Sequence, residues 1–100
     1  MQMMRVEFFL PTELADEIVA LDEALINAYG GTTAWQAEGA WRNGAGAVVY
    51  EDVTMLLTFC EDTPENRLHI ETLAQDFLTY SGEECVLYVI NGNDANFVKE

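Results

Sequence analysis

The chain has 100 residues, half of them hydrophobic, with 18 acidic side chains against 4 basic ones and a formal net charge of −14. That composition excludes a disordered chain and supports one folded domain, taken as residues 1–100. The four cations, Arg5, Arg42, Arg67 and Lys99, are scattered, which argues against direct binding to nucleic acid or to an anionic membrane.

Arg5–Leu10, RVEFFL, reads as a strand rich in aromatic and β-branched residues, and Pro11 ends it. Thr12 then has the character of an N-cap, with Glu13, Asp16 and Glu17 in the first turns where the helix dipole favours anions. Leu14, Ile18, Leu21 and Leu25 recur at helical spacing, widened by Val19 and Ala24. Asp16, Glu17, Asp22 and Glu23 take the wet side, and Gly30-Gly31 stops the helix after Tyr29.

Thr32–Cys60 reads as a long β-hairpin turning at Asn43-Gly44-Ala45-Gly46. Its first arm puts Trp35, Ala37, Gly39 and Trp41 on one side. Its second arm puts Val49, Val53, Met55, Leu57 and Phe59 on one side and Val48, Tyr50, Leu56 and Cys60 on the other, so both faces are partly apolar. Thr63 and Pro64 then announce a second helix, with Ile70, Leu73, Ala74 and Phe77 as its stripe and Gly82 as its stop. Cys85–Ile90, CVLYVI, carries no charge and reads as a strand covered on both faces. Asn91–Asn96 reads as a polar, turn-rich tail, with Phe97 and Val98 free to dock back or to meet a neighbour.

Strand, helix, strand, strand, helix, strand is the α+β, ferredoxin-like βαββαβ plan. It predicts a four-stranded antiparallel sheet of order 4-1-3-2 with two helices on one face. Strands are expected near residues 4–10, 32–42, 46–60 and 84–91, and helices near 12–29 and 64–81. A sheet with two apolar faces and helices on only one side predicts a homo-oligomer, a dimer or a trimer.

Catalytic constellations are thin. His69 is the only histidine and falls inside the second helix, so a Cys–His pair with Cys60 or Cys85 is not expected. The two cysteines have no metal spacing and read as small hydrophobes in strands. Glu51 and Asp52 are neighbours on a strand and point to opposite faces, so no metal site is assigned. No phosphate cradle or Walker lysine is present, and no cofactor is expected. A non-catalytic chain is the favoured reading.

Arg5–Leu10, Gly31-Thr32-Thr33 at the start of the hairpin, Glu51–Leu57, and the run from the second helix into Cys85–Ile90 together resemble the PII-like signalling proteins and the divalent-cation tolerance (CutA) proteins. The resemblance implies a ferredoxin-like fold and a trimer. Gly39-Ala40-Trp41-Arg42 is similar to a motif of small, uncharacterised bacterial domains with a tryptophan hairpin. PII-like proteins hold adenine nucleotides by basic residues, and here Arg42 is the only one in the hairpin.

Two functions follow. The first is a small acidic regulatory or interaction module that presents Asp16, Glu17, Asp22 and Glu23 to a protein partner with a basic face. The alternative is a small-molecule sensor or enzyme with a pocket at the subunit boundary, lined by Trp35, Trp41, Arg42, Tyr50 and Glu51. Met1–Arg5 shows no apolar secretory region, and no apolar run reaches the ~18 residues of a bilayer span, so a cytoplasmic location is expected.

Overall fold

A computed structural model describes residues 1–99. Strand β1 (Met3–Pro11) leads into helix α1 (Ala15–Tyr29). Strands β2 (Thr33–Arg42) and β3 (Val48–Glu61) form the long hairpin. Helix α2 (Pro64–Ser81) follows, and then strands β4 (Cys85–Ile90) and β5 (Asp94–Lys99). The sheet has five strands in the order β2-β3-β1-β4-β5, with every neighbouring pair antiparallel.

The fifth strand corrects the four-stranded plan. The segment read as a polar tail pairs with β4 over its whole length, from Ile90 opposite Asp94 to Cys85 opposite Lys99. The cause is the Asn91-Gly92 dipeptide. Asn91 and Gly92 take φ of 55° and 77°, and the Asn93 N–H donates to the Ile90 carbonyl at 3.3 Å. Positive φ at both central residues is the hairpin turn whose twist matches the strands on either side. The Asn91 side chain also accepts from the Arg5 N–H at 2.9 Å, which ties the turn to β1.

Two smaller corrections have equally local causes. Thr12 does not cap α1, whose N-cap position is Leu14 and which has no side-chain cap bond. The Thr12 N–H donates to the Asp52 carbonyl instead, and its hydroxyl bonds Thr54 and Gln36. Sheet pairing therefore continues one residue past Pro11 and delays the helix. Strand β4 is not covered on both faces: Val86, Tyr88 and Ile90 are buried, whereas Cys85 is exposed and Leu87 and Val89 are half-buried. Its lack of charge reflects an apolar open face, not a double cover.

At α2 the Thr63 hydroxyl accepts from the Asn66 N–H at 3.1 Å, with Pro64 at the first helical position. The helices end at Gly30 and Gly82, both left-handed. The core lies between both helices and one sheet face. Met4, Val6, Phe8 and Leu10 of β1 alternate into it and meet Leu21 and Leu25 of α1 and Ile70, Ala74, Phe77 and Leu78 of α2. Arg67 fastens the start of α2 through two bonds to Asp62, at 2.7 and 3.0 Å, and a longer contact to Asp94 on β5. Among the described residues, no helix is long and apolar enough to cross a membrane.

Candidate functional site

Register places a second apolar surface on the face away from the helices. Trp35 on β2 pairs with Met55 on β3, Met55 with Phe9 on β1, Phe9 with Leu87 on β4, and Leu87 with Phe97 on β5. One apolar row thus crosses all five strands. Phe97 at one end is 61% exposed and Trp35 at the other 41%. Leu57, Phe59, Val53 and Val89 extend the surface to either side of the row. Its central ion pair is internal to β1, with the Arg5 guanidinium 3.1 Å from the Glu7 carboxylate.

The hairpin projects beyond this surface. The β1 ladder ends at Pro11 opposite Val53 with a last bond from Thr12 to Asp52, so the part of the hairpin from Gly39 to Glu51 is a two-stranded ribbon. Its turn is held by the Asn43 side chain, which accepts from the N–H groups of Ala45 and Ala47, and by Arg42, which donates to the Gly46 carbonyl at 2.6 Å. An isolated two-stranded ribbon is marginal in water. This one carries Trp41, Val48 and Tyr50 as exposed side chains.

The five hairpin residues expected at a ligand site divide between two faces. Trp35, Trp41 and Glu51 lie on the open side, because Trp41 pairs with Val49 and Glu51 with Gly39. Arg42 and Tyr50 lie on the opposite side, so one protomer does not bring all five together. Burial, and then the charges of Glu83 and Glu13, push the Glu51 carboxyl above its ordinary value.

The four helix acids also divide. Asp16 and Glu17 border a cavity of about 330 Å3 between the helices. Asp22 accepts from the Thr32 hydroxyl, which pins α1 to the start of the hairpin, and Glu23 is exposed. His69 is exposed and its Nδ1 lies 2.7 Å from the Tyr29 hydroxyl, bridging the helices. Burial raises the Tyr29 hydroxyl and the Cys60 thiol above their ordinary values. Cys60 is buried, Cys85 is exposed and both are free. Among the described residues, no group of three or more His, Cys, Asp or Glu could hold a metal ion.

The sequence reading missed Phe9, Leu87 and Phe97 as members of one surface. The signal was Asn91-Gly92, which makes Ala95 and Phe97 alternate on a strand instead of trailing in a tail.

The family described as "Protein of unknown function (DUF3574)" matches residues 22–97. No curated protein matches the chain. Among solved structures, a phage SAM lyase in complex with S-methyl-5'-thioadenosine is similar, with a TM-score of 0.71 at 10% identity, covering 98% of this chain and 90% of the other. CutA from Synechococcus elongatus has a TM-score of 0.63 at 14% identity, covering 94% and 79%. A Bacillus cereus protein related to NIF3 has a TM-score of 0.64 at 18% identity, covering 97% of this chain and 27% of the other. At these identities the likeness concerns the fold. The tryptophan motif has no counterpart in what these comparisons report.

Proposed function

The chain belongs to the DUF3574 family, and from that premise we propose that it works as a small acidic, self-assembling regulatory or interaction module. The open sheet face of one copy packs on other copies, and the acidic helix layer turns outward to a protein partner. The observation that carries this reading is the five-strand apolar row from Trp35 to Phe97. Met55 in the row is buried and Phe9 and Leu87 are half-buried, but both ends are exposed, and exposed apolar surface is characteristic of interaction sites. The ribbon beyond Val53 supports the same reading, since a second copy would give it the packing that one protomer does not. The Arg5–Glu7 pair is already mutually satisfied and could enter such an interface paired. The CutA likeness agrees in fold, and a trimer is the favoured assembly. Two free thiols suit a reducing, cytoplasmic location.

Sedimentation at tens of micromolar tests the assembly. The wild-type chain should run as a multimer and Phe97→Asp as a monomer, while Val19→Asp on the outer helix surface leaves the mass unchanged. A monomeric wild type overturns the reading.

A second reading has its own observation. Trp35, Trp41 and Glu51 share one side of the hairpin, and no cation cluster lies there to hold phosphate. A pocket completed by a neighbouring copy would suit a ligand that stacks a base on indole and carries no phosphate. The likeness to a phage SAM lyase holding S-methyl-5'-thioadenosine agrees with an adenosyl thioether or sulfonium. Thermal shift with S-adenosylmethionine, S-methyl-5'-thioadenosine and ATP checks it. Stabilisation by the first two and not by ATP favours the pocket, and a flat response to all three removes it.

A further inference from the structure

The helix layer holds a groove whose walls, length and charge specify an occupant. The helices run antiparallel and touch at one end, where Tyr29 near the end of α1 bonds His69 near the start of α2. Toward the other end a 330 Å3 cavity lies between them, lined by Asp16, Glu17, Ala20 and Ala24 of α1 and by Leu73, Asp76 and Tyr80 of α2. Buried Leu21 and Phe77 form its floor. Ala20 and Ala24 are one turn apart, and their small side chains leave the trough open.

The rim has one sign. No Lys or Arg occurs on α1, and the single one on α2, Arg67, is engaged by Asp62. Asp16, Glu17 and Asp76 border the cavity itself. Glu13 just precedes α1 and Glu83 just follows α2, which adds acidic residues at this end of the helix layer. An occupant must therefore bring apolar anchors to Leu21, Phe77 and Tyr80 and positive charge to the rim. From Asp16 to Ala24 the wall is about 12 Å long at 1.5 Å per residue, two turns of helix. Anchors at i, i+3, i+4 and i+7 span the same length.

We propose that the groove between α1 and α2 docks an amphipathic helix of a protein partner whose apolar anchors are flanked by Lys or Arg. This deepens the interaction-module reading, and it rests on that reading only in treating the helix layer as the outward surface.

The test uses the full chain and two synthetic peptides of equal Leu and Lys content. One places its leucines at i, i+3, i+4 and i+7, and the other scatters them around the helix. Calorimetric titration should show binding of the patterned peptide, weakening steeply as salt rises because exposed charge is screened. Asp16→Asn with Asp76→Asn should weaken it by about tenfold or more, and Ala20→Lys, which lays a cation across the trough, should abolish it. Equal binding of both peptides, unchanged binding in the variants, or no binding of the patterned peptide overturns the proposal. Light scattering on the same samples separates the two readings: a monomer that still binds the patterned peptide sinks the assembly and leaves the groove standing.

Discussion

The two faces of one sheet are built from equally apolar strands and end in different environments. β1 sends Met4, Val6, Phe8 and Leu10 to one face, where all four are fully buried. It sends Arg5, Glu7, Phe9 and Pro11 to the other, where the row beginning at Phe9 runs out to an exposed Phe97. Phe8 and Phe9 are chemically identical neighbours. What separates them is topology: both crossover connections put their helices on the same side. Hydrophobicity says that a residue favours cover, and connectivity says whether its own chain supplies it.

The widest test of that contrast is a pair of substitutions. Phe8→Ala should lose about 3–5 kcal/mol of unfolding free energy, because it leaves a hole in a packed core that can collapse only in part. Phe9→Ala should cost the fold distinctly less and should lower the molar mass in solution instead. Urea unfolding and sedimentation of both variants decide it. If Phe9→Ala matches Phe8→Ala in stability and keeps the wild-type mass, the open face belongs to the protomer's own core and the contrast collapses.

Much of this was readable in advance. The period-2 alternation of β1 and of the long hairpin, the helical spacing of Leu21, Leu25, Ile70 and Phe77, and the Thr63-Pro64 start of α2 are local signals that tertiary structure leaves intact. The departures have physical causes. Thr12 is a good cap residue in isolation, but its N–H completes a pairing with Asp52, forty residues away, and its hydroxyl is taken by Thr54 and Gln36. Composition hid β5, because Asn, Gly and Asp dominate its turn and first residue, although Asn91-Gly92 is itself a hairpin signal. The expected hairpin site was only half legible. Alternation separates Trp41 from Arg42 and Tyr50 from Glu51, and only the register with β2 and β1 says which side is open. The groove between the helices could not be read at all, since it depends on how α1 and α2 pack against each other.

The late hairpin sharpens the comparison at the end of the row. Phe97 occupies its place only because the Asn91-Gly92 turn brings β5 back beside β4. Gly92 has φ of 77°, and a Cβ built there would lie 2.7 Å from the Arg5 guanidinium. Gly92→Ala should therefore cost about 1 kcal/mol, since the left-handed backbone opposes the methyl group while the flexible end of Arg5 can move aside. Hydrogen exchange should show β5 amides losing protection while β1 keeps its own. Uniform loss across the sheet would mean that β5 is integral to the core and not an addition at its edge.

The smallest effect concerns charge on the open side of the ribbon. Burial, Glu83 and Glu13 raise the Glu51 carboxyl in the folded chain. A raised carboxyl holds its proton more tightly when folded than when unfolded, so its ionised form weakens the fold at neutral pH. The penalty is fully present above the folded value, fades as pH falls through it, and is gone below the unfolded value of about 4.3. Glu51→Gln removes the charge at every pH. It should raise the melting temperature at pH 7 by a small amount, and wild type and variant should converge near pH 4. The repulsion comes partly from Glu83, so Glu83→Gln should raise stability in the same direction, and the gain of the double variant should fall short of the sum of the two. Additive gains would show that Glu51 does not sense Glu83.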